Sequence, residues 1–294
     1  MKALTAFLLS LHTLLAGPYA PAANSEGTSA ISLDDERITR WADTVSSYSP
    51  GEDLDELWTD TSQALGPAST IPTEVTSLGR GGVIILEFDP PIPNRSGSDF
   101  AIFENSFSHT FLELAFVEIS SDGQSYQRFQ NSSLTVNAVG PFGFVDTTNI
   151  NGLAGKYIGG FGTPFDLDDL ATPPVEIRFI KLIDVTGGTS QDSSGATIYD
   201  PFPTQGSSGF DLSGIAVFDL RPLKASGSLA GENFILSWQT NPGLTYLVES
   251  SPTLNGFWQP VLTVTADSTS ESLSFPAEKL RELFRVSVQD PPAD

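Results

Sequence analysis

Apolar residues along this chain recur in short alternating runs broken by Gly, Pro, Asn, Asp and Ser. Helix-period stretches are rare. Residues 82–88, 100–103, 115–120, 177–183 and 214–218 each read as a strand of four to seven residues. Ser121, Asp122 and Gly123 supply a turn signal directly after one of them. Only 53–65 and 277–283 have the pattern of short helices. The pattern predicts an all-β protein.

A composition break falls at residues 221–228, and a second set of strands follows it: 233–238, 245–249, 261–265, 272–275 and 283–288. In the last of these Phe284, Val286 and Val288 face one way while Arg285 and Ser287 face the other. Trp238, Tyr246 and Val248 are the expected core of a small sandwich. The predicted domains are 35–222, a large β-domain, and 226–290, a small one.

The first residues change the picture of where the chain works. Lys2 is followed by an apolar run from Ala6 to Leu15, too short to span a bilayer, and then by the small residues Ala20, Ala22 and Ala23. Residues 1–23 are therefore expected to be an export signal, and the protein is expected to be secreted or at the cell surface. No later run has membrane length. The chain contains no cysteine, which excludes disulfides and thiolate metal sites. A formal charge of −22 repels phosphate backbones, so nucleic acid is not an expected partner. The acidity serves solubility, and it also suits carboxylates gathered around divalent cations.

The loop from Asp184 to Asp211 concentrates that second possibility. Asp184, Asp192, Asp200 and Asp211 are spaced along a segment too rich in Gly, Ser and Thr to be helix or strand, with a strand on each side. Hard oxygen ligands held by a sheet at both ends suit Ca²⁺, with backbone carbonyls and waters completing the shell. The same residues equally suit Asx turns and strand ends that bond their own backbone. Asp99 and Glu104 bracket the apolar strand 100–103, and Glu104 would need a cation, a backbone group or an Arg if buried. Asp146, Asn149 and Asn151 lack the alternate-oxygen spacing of an EF-hand loop. Residues 166–170 instead suit a capped helical turn.

Catalytic arrangements are mostly missing. His12 leaves with the signal, His109 stands without a nucleophile elbow or a second metal-binding His, and no catalytic residue is assigned. A carboxylate pair such as Glu104 and Glu118 remains the one hydrolytic possibility. Among the loop aromatics, which include Trp58, Phe107 and Phe111, Tyr199 and Phe202 stand beside the carboxylates and are the favoured ligand-stacking pair.

Several segments resemble a family of bacterial exported proteins known only as "cell surface protein". They are Trp41 to Gly51, Gln63 to Pro67, Ser77 to Phe88, Asp99 to Asn105, Phe116 to Gly123, Thr163 to Leu167, Ile183 to Val185, Ile198 to Pro203 and Gly209 to Ile215. The likeness covers roughly 35–220. Many members carry a C-terminal sorting segment that has no counterpart here. More distantly, the same region resembles the galactose-binding, discoidin-type jelly roll. That likeness rests on the strand before Ser121-Asp-Gly, a later strand over Arg178 to Leu182, and a closing strand over Ile215 to Phe218. This implies a sandwich whose rim loops bind sugars or surfaces beside a structural Ca²⁺. Residues 226–290 look like a short fibronectin-III-like module of the kind that ends many exported proteins of planctomycete- and verrucomicrobium-type bacteria.

The combined expectation is a jelly roll followed by a small fibronectin-III-like sandwich, calcium-stabilised, exported and non-catalytic, binding carbohydrate or another extracellular surface component. Asp99, Glu104, Asp184, Asp192, Asp200 and Asp211 are the expected metal ligands, and Tyr199 and Phe202 the expected contact residues. The alternatives are a structural matrix protein without a specific ligand and a carboxylate-dependent glycoside hydrolase.

Overall fold

The computed structural model describes residues 16–95, 97–218, 223–241, 244–268, 270–276 and 282–289. Most of the expected export signal and most of the possible helix at 277–283 lie outside these. The protein is an all-β sandwich protein, and it forms two compact units.

In the first unit one sheet runs Thr44–Ser49, Val83–Pro93, Glu176–Asp184, Ala115–Ser120, Gln127–Arg128, all neighbours antiparallel. The second sheet runs Ile31–Ser32, Phe161–Phe165, Phe100–Glu104, Asp211–Val217, and Thr76–Ser77 also pairs with the last of these. Alternation explains the burial. Ile84, Leu86 and Phe88 are buried, as are Ile177, Ile180 and Leu182 on the neighbouring strand. Phe100–Glu104 is buried along its whole length, which is why it reads as an unbroken apolar run ending in one acid. Of the 53–65 stretch, Glu56–Trp58 and Thr61–Ala64 are 3-10 turns. A third turn, Leu167–Asp169, is capped by the Asp166 side chain as its sequence suggested.

The second unit comprises residues 34–41 and 216–294. Its described strands form two three-stranded antiparallel sheets: Ala225–Ala230, Asn233–Gln239, Ser270–Pro276, and Gln259–Thr265, Thr245–Ser251, Leu283–Val288. Leu236, Trp238, Tyr246, Val248 and Ala266 make its buried core, with Phe234, Phe275, Phe284 and Val286 packed against them. Residues 34–41 group here because Arg40 and Trp41 pair with Val217 and Ala216. The break at 221–228 is itself partly structured, since Ala225–Ala230 is an edge strand.

Candidate functional site

Two strand ends and one extended segment of the first unit bring three acids together. Glu104 is the last residue of Phe100–Glu104, and Asp211 is the first of Asp211–Val217. The two ends are tied by the Asn105 N–H, which donates to the Asp211 carbonyl at 3.3 Å. Glu113 enters two residues before Ala115–Ser120. It is held there by close backbone approach: a Cβ on Gly155, whose φ is +85°, would lie 1.9 Å from the Glu113 carbonyl oxygen. One carboxylate oxygen from each of Glu104, Glu113 and Asp211 lies within 4.8 Å of the others.

Each of these carboxyls resists ionisation. Burial, then the Asp211 charge, pushes Glu104 well above the usual range, although the Ser106 N–H donates to it at 2.7 Å. Glu113 is raised by burial and by the charges of Asp211 and Glu104, and its Oε1 has no hydrogen-bond partner among the described residues. Asp211 is raised by burial, against hydrogen bonds from the Ser77 and Ser207 hydroxyls.

The acids form the floor of a pocket of about 730 Å³. Its wall is aromatic. Phe107 stacks on Phe111 with ring centroids 4.5 Å apart, and Phe111 lies 6.2 Å from Phe142. Phe107 and Phe142 are 68% and 77% exposed, so two large apolar faces are presented to solvent at the mouth. Trp58, Asn105, Pro203, Thr204 and Gln205 are among the other residues that line it. The loop that carries Phe107 and Phe111 is self-bonded. The Ser106 hydroxyl donates to the carbonyls of Ser108 and Phe111, and the Ser108 hydroxyl accepts the Phe111 N–H at 2.9 Å.

Of the expected metal ligands, the structure brings Glu104 and Asp211 together and places the others elsewhere. Asp99 accepts the N–H groups of Arg95 at 2.7 Å and Leu167 at 2.8 Å, fixing a loop and a turn. Asp184 accepts those of Gly81 and Phe210, both at 2.9 Å. Asp192 is an Asx turn, accepting from Ser194, Ala196 and, across the fold, Ser133. Burial would raise its carboxyl, but these bonds outweigh it and hold it below the usual range. Asp200 takes the Leu114 N–H at 3.2 Å through one oxygen, while the other is buried without a partner among the described residues. Asp184, Asp192 and Asp200 thus accept from the backbone of their own loop and of neighbouring segments, and among the described residues they do not gather with Asp211 around one point.

Tyr199 and Phe202 are half-buried and are not among the pocket's lining residues, which include their neighbour Pro203. Glu118 is not beside Glu104. It pairs with Lys181, and with Arg128 at 2.8 Å. Sequence alone does not single out Glu113 or Phe142, and it offers Phe107 and Phe111 only as two among many loop aromatics. The signal for Glu113 was available: it sits within Phe111 to Val117, an apolar run on both strand faces, where a lone acid is buried whichever way it points.

No protein-family model matches the sequence, and no curated protein matches it. Among solved structures the chain is similar to the crystal structure of Ruminococcus gnavus beta-glucuronidase, at 11% identity and a TM-score of 0.18. That match covers 71% of this chain, and it spans about a third, 32%, of the other.

Proposed function

We propose that the first unit is a non-catalytic binding domain of an exported protein, taking a carbohydrate in the pocket between the aromatic ladder and the acidic floor. The observation that carries the reading is the pairing of those two surfaces. A pyranose has an apolar face that stacks on rings such as Phe107 and Phe142, and an edge of hydroxyls that donate to carboxylates. The pocket volume lies within the usual range for small-molecule sites. The resemblance of residues 35–220 to exported cell-surface proteins agrees with an extracellular ligand, as does the signal-like start of the chain.

Glycan-array binding by the full chain, followed by titration of the best ligand, tests this. Phe107→Ala removes an exposed ring and should leave folding unchanged while weakening binding roughly tenfold. Absence of binding to any glycan would overturn the reading in favour of a matrix role. The mutual approach of the three carboxylates gives the hydrolase alternative its only footing. Turnover of a polysaccharide panel, abolished by Glu113→Gln, would replace binding with catalysis. Export is checked by the N-terminus of protein recovered from the medium or cell surface, expected near Ala20 to Ala23.

A further inference from the structure

We propose that Glu104, Glu113 and Asp211 form a binding site for one hard divalent cation, best Ca²⁺, whose open coordination positions face the pocket and take the hydroxyls of the bound ligand. The second half of this statement rests on the carbohydrate reading, and the cation site itself does not.

Geometry is the first support. Oxygens bound to one Ca²⁺ at about 2.3–2.6 Å lie at most ~5 Å apart. The three carboxylate oxygens already fall within 4.8 Å of one another, supplied by three separate segments with fixed backbones. The second support is Glu113 itself. Its side chain lines the pocket, the residue is only 4% exposed, and Oε1 has no partner among the described residues. An orphaned buried acceptor of this kind is costly unless something outside the protein binds it.

Charge and donor type then select the ligand. No Lys, Arg or His is found among the described residues lining the pocket, so no protein cation there balances the three acids. An all-carboxylate set without imidazole or thiolate favours Ca²⁺ over zinc or copper. Mg²⁺ is disfavoured because it requires a near-ideal octahedron and gives up its waters reluctantly. Three protein oxygens leave several of the usual six to eight positions open, on the side of the Phe107–Phe142 wall. Neighbouring hydroxyls of a sugar ring can replace two waters there while the ring stacks on the aromatic ladder.

Isothermal titration of the full, chelator-stripped chain with CaCl₂ alone, up to about 5 mM, tests the cation site over the range of extracellular calcium affinities. Saturable binding with one ion at the pocket and a rise in melting temperature is expected. Glu113→Gln and Asp211→Asn should each weaken it roughly tenfold or more. Circular dichroism confirms that each variant is folded. Absence of saturable binding in the wild type, or binding unchanged in both folded variants, would overturn the site. The ligand arm is read separately, by repeating glycan titration with Ca²⁺ and with EGTA. Calcium binding with glycan affinity indifferent to EGTA keeps the ion and removes its bridging role. Glycan binding by a chain that takes no calcium keeps the carbohydrate reading and removes the ion.

Discussion

Asp184 accepts the backbone N–H of Phe210 at 2.9 Å, and this bond joins the end of one sheet's central strand to the residue that introduces Asp211. The other Asp184 oxygen holds the Gly81 N–H, so one buried side chain fastens two loops. Asp184→Ala leaves both N–H groups without an acceptor and should cost about 2–4 kcal/mol in urea denaturation. Asp184→Asn keeps the volume but turns an amide NH₂ toward one of two donors, and should cost about 1–3 kcal/mol. Changes below about 0.5 kcal/mol in both would show that the ties are not what orders these loops.

The same contact restricts Gly209. Its φ is +71°, and a Cβ there would lie 2.4 Å from Asp184 Oδ1. Gly209→Ala combines left-handed backbone strain with a collision against a side chain already bonded on both oxygens. We expect a loss of about 3 kcal/mol and weakened calcium affinity through displacement of Asp211. Stability within about 0.5 kcal/mol of wild type would mean that the loop shifts freely, contrary to its bonding.

What could be read in advance follows from what sequence periodicity reports. The strands at 100–104, 115–120 and 176–184 stand where alternation places them, and 83–93 starts there but runs five residues past its expected end at 88, because burial on one or both faces is written in residue order while the Pro-rich extension is not. In the second unit four strands extend the expected runs by a residue or two, Leu283–Val288 matches its run, and Ala225–Ala230 is a strand where only a composition break was expected. Convergence of loop carboxylates is a different kind of property. Asp192 and Asp211 look alike in sequence, yet one spends its oxygens on its own turn and the other faces Glu104. Whether an Asp is free to bind an ion depends on which N–H groups the fold brings to it, and no local pattern states that. The pocket wall was hidden for a related reason: Phe107, Phe111 and Phe142 come from two loops that only the tertiary fold brings side by side.

Stability should depend on pH in a direction set by the buried acids. Burial pushes Asp184 to about 7, against bonds from Gly81 and Phe210, and Asp99 to about 6, against those from Leu167 and Arg95. Asp166 and Asp168 stand near Asp99 and add to its rise. In the unfolded chain both groups titrate near ~3.9. Above that pH the folded state holds protons that the unfolded state has released, so folding stability falls as pH rises through about 4 to 7. Asp192, held low, contributes in the opposite sense and loses its contribution as pH falls below the ordinary carboxylate range. In chelator-stripped protein the melting temperature of the first unit should therefore decline between about pH 5 and pH 7.5. A melting temperature that rises steadily from pH 5 to 8 would contradict these assignments.

The second unit offers a prediction in which two opposing effects can be weighed. Trp238 is 3% exposed at the centre of the small core, and its Nε1 has no hydrogen-bond partner among the described residues. Trp238→Ala removes most of that core side chain and should cost about 3–5 kcal/mol, enough to unfold a domain of this size. Trp238→Phe leaves a void of roughly 40 Å³, worth about 1 kcal/mol of cavity penalty plus the lost transfer energy. It also deletes a buried, unpaired N–H whose desolvation costs about 1–3 kcal/mol. The two effects nearly cancel, so Trp238→Phe should change stability by less than about 1 kcal/mol, far less than an ordinary large-to-small core substitution. Denaturation of the full chain, followed by the transition that Trp238→Ala abolishes, reads this directly. A loss of 3 kcal/mol or more in Trp238→Phe would mean that the indole N–H makes a bond in solution, and that packing around Trp238 depends on it.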